Sequence, residues 1–166
     1  MLGEILKAVE NSPFSLWISE STWAFQAIET VHVFAIAMVF GTIAIVDLRL
    51  LGLASTNRRY GELAHELLPW TWVAWMVSAT CGTLLFISRP IEYLQDADFR
   101  LKFLFMAMAG VNMLVFQLVT ARDAATWDGA TTPPAGKVAG GLSLVFWIGV
   151  IYFARKTGYT LVQGGV

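Results

Sequence analysis

Two ionisable residues, Glu29 and His32, lie within the longest apolar stretch of this chain, which runs from Thr22 to Gly52. Residues three apart share one face of a helix, so the carboxylate and the imidazole are predicted to lie about one turn apart. A neutral imidazole is a common metal ligand, and haem iron accepts histidine opposite methionine, water or an empty position. An ionisable pair in hydrocarbon is not expected to face lipid, so we predict that both side chains point into a helical bundle.

The overall composition is typical of an integral membrane protein. Hydrophobic residues make up 57% of the 166 residues and charged residues 14%, whereas a soluble domain has about 25% charged residues. The net charge of −1 and the lack of a basic run argue against a nucleic-acid partner. The single cysteine, Cys81, excludes an internal disulfide and a CxxC motif. We therefore expect the lipid bilayer to be the main partner.

Four apolar segments predict four transmembrane helices, at about residues 22–52, 67–88, 102–122 and 138–155. An amphipathic helix at 1–11 is predicted to lie on the membrane surface. The resulting prediction is an all-α, integral membrane four-helix bundle in which residues 1–166 form a single domain.

The segments between these helices carry predictions of their own. The residues after Ser12 and Pro13 are expected to run along the membrane surface. Pro69 is expected in the first turn of the second span, where proline is tolerated. The connector 123–137 includes two adjacent prolines and no apolar period, which predicts an extended and exposed segment.

Four spans place both termini on one membrane side, called side A here, with side B opposite. Lysine and arginine are too evenly divided between the two sides to predict the orientation.

Helix geometry gives the depth of each polar residue. His32 is predicted roughly 4 to 5 Å from the midplane toward side A, and His65 at the side B interface, roughly 20 Å from His32. Bonds from a metal to imidazole nitrogen are about 2 Å long, so the two histidines are not expected to hold one iron. Three side chains from the other spans are predicted at the depth of His32: Thr80, Cys81 and Met108. Asn112 is predicted one turn deeper, and Lys102 nearer side A.

These placements support two readings. The first is a b-type haem held by His32, with a redox or haem-handling role. Lys102 or an arginine near side A pairs with a propionate in that reading, and glycines let the flat ring approach the helices. The predicted cofactor-binding residues are His32, Glu29, Lys102, Met108, Asn112 and Thr80. The second reading is a non-enzymatic transport or structural module, in which polar side chains form a network or path between helices and Met108 simply packs; its members would be Glu29, His32, Lys102 and Asn112.

Several motifs give the chain a family resemblance. They are His32 in the first span, the exit pattern Asp47-Leu48-Arg49, the HELLP segment that starts at His65, and Lys102 at the start of the third span. Together they spread over about two-thirds of the chain. With these motifs the chain resembles small four-span bacterial membrane proteins related to the haem-binding, oxygen-independent protoporphyrinogen oxidases and to copper-resistance protein D-like domains, and it looks closest to an uncharacterised branch. The resemblance implies a haem ligand at His32, a functional lysine at Lys102 and a location in the bacterial inner membrane.

Two departures from those oxidases argue against protoporphyrinogen oxidation. Trp23 lies nine positions before the histidine rather than about one turn, and Asn112 stands where the oxidases carry a later histidine. Copper ranks below haem because a copper site needs more clustered histidine or methionine ligands. A hydrolase is not expected, since no serine or cysteine is visibly paired with a base and an orienting acid. The further partner expected is either a redox partner or a second copy of the chain, in a homo-oligomer formed through the glycine-bearing fourth span.

Overall fold

The computed structural model describes residues 1–127 and 131–163, and within them it contains helices and no strand. The all-α, four-helix prediction is confirmed. In chain order the helices are α1 Leu2–Glu10, α2 Pro13–Glu20, α3 Ala24–Leu51, α4 Tyr60–Ser88, α5 Pro90–Gln95, α6 Ala97–Val115, α7 Ala124–Trp127 and α8 Pro134–Gln163. A π-helical turn, Phe116–Thr120, and a 3₁₀ turn, Ala121–Asp123, prolong α6.

Four of these helices are long and apolar enough to cross a membrane. They are α3, α4, α6 with its two added turns, and α8, and the mean hydropathy of their best windows runs from 1.4 to 2.2. Each also presents large apolar side chains outward, such as Phe34, Val73, Leu114 and Val145. A surface of this kind is stable against acyl chains rather than water, so the protein is an integral membrane protein.

Local signals explain where the first and third spans begin and end. The Ser21 hydroxyl accepts a hydrogen bond from the Ala24 N–H at the start of α3. Gly52 ends α3 with a φ of +77°, a left-handed conformation that suits glycine. The Asp96 carboxylate accepts a 2.6 Å hydrogen bond from the Phe99 N–H and so caps α6. These caps account for boundaries within a few residues of the apolar segments.

The second span begins earlier than its apolar composition predicts. α4 starts at Tyr60 instead of residue 67, so the prediction that Pro69 lies in its first turn is wrong. The cause is tertiary packing, because Tyr60 and Leu63 are both buried and continue the inward face of the helix for two further turns. The fourth span is likewise longer than predicted, beginning at Pro134 and passing beyond Arg155.

The N-terminal segment packs against the helical bundle. α1 coincides with the predicted helix at 1–11, but the following residues form a second helix, α2. The Ser15 hydroxyl of α2 donates a 2.7 Å hydrogen bond to the Ile87 carbonyl at the end of α4, and Ile18 is fully buried. These two contacts fix α2 against the side A end of the bundle.

Helix α3 is the centre of the bundle. It packs against α4 on one side and α8 on the other, and α8 also packs against α6. Two glycines of α8 make the close contacts, because a Cβ at Gly140 would lie 3.0 Å from the Asp47 carbonyl oxygen and a Cβ at Gly149 would collide with the Phe105 ring. Gly140 and Gly149 therefore serve packing inside the protomer, and oligomer formation through the fourth span stays a prediction.

The helices α4 and α6 are not among the closely packed pairs of the described chain, and a groove lies between them. Aromatic rings bridge this groove at its two ends. At side A, Phe86 stacks on Phe99 with ring centroids 5.9 Å apart, and Tyr93 contacts both. Burial, with the nearby Glu29 carboxylate, raises the pKa of the Tyr93 hydroxyl and keeps it neutral. At side B, Tyr60 contacts Phe116 at 5.6 Å. The middle of the groove is left open toward the bilayer.

The side B connectors are held by one buried cation. Arg49 is 6% exposed, and its Nε donates a 2.6 Å hydrogen bond to the Arg58 carbonyl while Nη1 donates to the Thr132 hydroxyl. Thr132 is also buried, and residues 124–127 are helical, so the prediction of an extended, exposed connector at 123–137 is wrong for these positions. Residues 128–130 of that connector, and the last three residues of the predicted tail, lie outside the described residues.

We predict that Arg49→Lys lowers the stability of the folded protein by about 1 to 3 kcal/mol, because one ammonium group cannot reach both connector acceptors and leaves one of them unpaired. Thermal unfolding in detergent measures the change. The matched control is Arg58→Ala, which removes an exposed side chain but keeps the carbonyl that Arg49 binds, and little change is expected there. Equal melting curves for Arg49→Lys and the unmodified protein would contradict this role of Arg49.

Candidate functional site

One face of α3 supplies the back wall of the groove. Its residues recur at helical spacing and line two neighbouring cavities: His32, Ile36, Val39, Thr42, Ile43, Val46, Asp47 and Leu50. The cavity around His32 lies toward side A and has a volume of about 620 Å³. The cavity around Asp47 lies toward side B and has a volume of about 560 Å³. We call them the His32 cavity and the Asp47 cavity; Val39, Trp75, Phe103, Met106 and Trp147 line both.

Ser78 of α4 holds the ring of His32, because its hydroxyl lies 3.4 Å from Nδ1 and its carbonyl oxygen lies closer still. The Nδ1 of His32 lies 2.8 Å from the Ser78 carbonyl oxygen. A carbonyl only accepts hydrogen bonds, so Nδ1 carries the proton and donates it, and Nε2 keeps its lone pair. No described residue is hydrogen-bonded to Nε2. This is the arrangement in which metal-binding histidines are oriented by a second partner.

The small residue Gly82 makes that hydrogen bond sterically possible. In a helix the carbonyl of residue i points toward residue i+4, so a side chain at position 82 would cover the Ser78 carbonyl. Glycine leaves it open, and the second lone pair of the oxygen accepts the imidazole proton. A Cβ on Gly82 would lie 3.0 Å from His32 Cε1, which is tighter than nine in ten real Cβ contacts, so the ring would have to shift by a few tenths of an ångström. The His32 ring therefore occupies the space that another residue's side chain would fill.

The His32 cavity is lined by basic and aromatic side chains. Lys102 of α6 lines it and lies over two rings, with Nζ 5.3 Å from the Phe99 centroid and 5.5 Å from that of Phe103. Arg100 lines the same cavity and is exposed. No acidic residue is among the described residues that line this cavity. Its chemistry suits a flat apolar molecule with a metal or acidic groups.

The structure brings together some of the predicted site residues and separates others. His32 and Lys102 line one cavity. Glu29 is exposed and lines neither cavity, because it lies one turn nearer side A on a neighbouring part of the α3 surface. Thr80 is also exposed, and its hydroxyl donates to the Met76 carbonyl of its own helix.

The methionine that faces the site is Met106 rather than Met108. Met106 lines both cavities, whereas Met108 lines neither, since two residues along a helix are 200° apart. Depth alone selects Met108 from the sequence, but it does not fix the rotation of α6. The spacing of Phe99, Lys102 and Met106 along one face is the signal that identifies the inward side.

Asn112 and Asp47 belong to the second cavity. Asn112 Nδ2 donates a 2.9 Å hydrogen bond to the Ala139 carbonyl, which ties α6 to α8 beside the Asp47 cavity. From the sequence Asp47 marks the end of the first span, yet the structure buries its side chain in the bundle, 6% exposed. The signal was present, because position 47 continues the face that contains Val39, Ile43 and Leu50.

Other candidate ligands lie apart from the groove. His65 is exposed on the first turns of α4, and Cys81 is a partly buried free thiol; neither lines a cavity. The described residues contain no group of three or more histidine, cysteine, aspartate or glutamate side chains able to hold a metal ion. Among the side chains of the groove, His32 is therefore the one best suited to be the single protein ligand of a metal.

We predict that Gly82→Ala displaces the His32 ring from the Ser78 carbonyl, because the new methyl group needs the space that the ring occupies. In ¹⁵N-histidine NMR spectra the unmodified protein is expected to show His32 as a single Nδ1–H tautomer, and the variant a mixture. His65→Gln identifies the signals. Gly41→Ala, where a Cβ would meet nothing within 4 Å, is the matched control and should leave the spectrum unchanged. An unaltered tautomer in Gly82→Ala would show that the ring is not held in this way.

No protein-family model, curated protein or solved structure matches this chain. The resemblance carried by His32, the Asp47-Leu48-Arg49 pattern, the HELLP segment and Lys102 stays a prediction. The geometry of the groove, and first of all the hydrogen bond that orients His32, is what supports a functional proposal.

Proposed function

We propose that this integral membrane protein binds a b-type haem in the His32 cavity, with Nε2 of His32 as the iron ligand, and that it acts in electron transfer or haem handling in the bacterial inner membrane. The observation that carries the proposal is the hydrogen bond from Nδ1 to the Ser78 carbonyl. That bond leaves the lone pair on Nε2 and holds the ring in one orientation, which are the two requirements of an imidazole ligand.

The supply of ligands favours haem over a bare metal ion. A bare zinc or copper ion takes most of its ligands from protein side chains, and the described residues offer no such cluster. Haem brings four ring nitrogens of its own, so one well-oriented histidine is enough to hold it. Copper therefore remains below haem among the cofactors considered.

The shape and walls of the cavity also suit a flat aromatic ring. A volume of about 620 Å³ falls in the range of small-molecule and cofactor pockets, roughly 300 to 1,000 Å³. Its walls include the rings of Trp75, Phe86, Phe99 and Trp147, and Gly82 adds no bulk at the histidine. The thioether of Met106 lies in the wall contributed by α6, and methionine is a known partner of histidine in haem proteins.

Basic residues in the same cavity match the acidic edge of a haem. Lys102 and Arg100 lie near the start of α6, which is at the side A end of the groove. Propionates directed toward side A would meet both cations, and charge-assisted hydrogen bonds of this type are stronger than neutral ones. The role that the resemblance gives to Lys102 agrees with this placement.

The alternative, a transport or structural module with a polar path, has less support. Among the described residues no hydrogen bond joins Glu29, His32, Lys102 and Asn112 to one another. His32 and Asn112 instead bind backbone carbonyls, and Glu29 lies on the exposed surface. A continuous path would need contacts between these side chains.

We predict that the protein purified in detergent from haem-replete cells shows a haem Soret band at a stoichiometry of about one haem per chain. His32→Ala is expected to lose the band, because the iron loses its protein ligand. His65→Ala is the control and should keep it, since His65 is exposed and far from the cavity. Colourless protein with the melting curve of a folded bundle would reject the proposal, as would an equal band in both variants.

We further predict that Lys102→Gln weakens haem binding roughly tenfold or more, because it removes the charge that pairs with a propionate. Titration of haem into apoprotein measures the affinity. Lys102→Arg keeps the charge and should stay within a few-fold of the unmodified protein. Lys7→Gln removes an exposed lysine from α1 and serves as the control for net charge. Full affinity in Lys102→Gln would show that this amine does not contact the ligand.

A further inference from the structure

The Asp47 cavity contains an acid that the proposed haem site does not use. Asp47 is 6% exposed, and Ser143 of α8 lines the same cavity. One oxygen of the Asp47 carboxyl group, Oδ2, has no hydrogen-bond partner among the described residues. A buried acid of this kind costs free energy in an apolar bundle unless a proton or a bound cation neutralises its charge.

The charged side chains around the Asp47 cavity indicate what kind of ligand can neutralise Asp47. Among the described residues that line it, Asp47 is the one charged side chain, and no lysine, arginine or histidine accompanies it. The other polar groups that line it are neutral, and two of them bond to each other: the Thr71 hydroxyl donates to that of Thr42 at 2.8 Å. The wall therefore supplies negative charge and no positive charge.

Aromatic faces strengthen the same preference. Tyr60, Trp72, Trp75, Phe103, Phe116 and Trp147 line this cavity. Trp72 and Trp75 meet edge to face with centroids 5.9 Å apart. The face of an aromatic ring is electronegative and attracts cations, most strongly where water is excluded. A cavity lined by one carboxyl group and several aromatic rings thus suits an organic cation rather than an anion.

We propose that the Asp47 cavity binds a lipophilic organic cation with a single positive charge, such as a hydrophobic amine or quaternary onium ion, paired with the Asp47 carboxylate. Such a molecule enters from the bilayer through the open middle of the groove between α4 and α6. A small inorganic cation is disfavoured because it requires several oxygen ligands, and no cluster of three acidic or metal-binding residues is found in the described chain.

The two cavities then select opposite charges. The His32 cavity has the basic residues Lys102 and Arg100, whereas the Asp47 cavity has one acid. Along α3 the two residues are 15 positions apart, which separates them by roughly 22 Å. The acid that pairs with the cation is not a residue that the haem proposal uses, so this proposal does not rest on haem binding.

The test uses tetraphenylphosphonium as the probe and the full chain in detergent, with binding measured by equilibrium dialysis. We expect saturable binding of one probe per chain and a loss of affinity of about tenfold or more in Asp47→Asn, which keeps the size of the side chain but removes its charge. Glu29→Gln removes an exposed acid from the same helix and should bind normally. His32→Ala should also bind normally, which separates this result from the outcome of the haem experiment.

Specific results would overturn the proposal. Equal affinity in Asp47→Asn and the unmodified protein would show that the acid is a neutral part of the wall. Equal binding of the uncharged triphenylphosphine oxide or of the anion tetraphenylborate would show partition into an apolar groove. If Asp47→Asn fails to fold, Trp72→Ala replaces it: this residue lines the Asp47 cavity and not the His32 cavity, and is half exposed. A several-fold loss is expected there, and unchanged binding rejects the proposal.

Discussion

The hydrogen bond from the His32 imidazole to the Ser78 carbonyl is the contact on which the rest of this site depends. It joins the central helix α3 to α4 and fixes which nitrogen carries the proton. In an apolar medium each polar group must find a partner inside the protein, so a ring nitrogen bound to backbone is strongly held in place. The same bond leaves the lone pair on Nε2, in a residue that lines the His32 cavity.

The arrangement of the four long helices turns that local contact into a binding groove. α3 packs against α4 and α8, and α8 packs against α6, while α4 and α6 meet mainly through aromatic rings near their ends. The bundle is thereby closed at both membrane surfaces and open between them. Both cavities lie in the groove between α4 and α6.

Much of this architecture follows from sequence patterns, but the positions of individual side chains do not. Uncharged stretches locate all four spans because hydrocarbon excludes charge, and the capping residues Gly52 and Asp96 mark helix ends. The early start of α4 at Tyr60 is not predicted from composition, because it depends on the burial of Tyr60 and Leu63 in the folded protein. Depth arithmetic pairs His32 with Met108 and Thr80, yet the rotation of each helix selects Met106 and Gly82 instead.

The sequence by itself determined that the chain is a helical membrane protein with a histidine inside its first span, since length and hydropathy set how a segment meets the bilayer. Tertiary structure decided the partner of that histidine, the exposure of Glu29 and the burial of Asp47. The physical reason is that a span constrains depth along its axis but leaves rotation about the axis free. Only packing against neighbouring helices fixes that rotation, and with it the side chains that share a cavity.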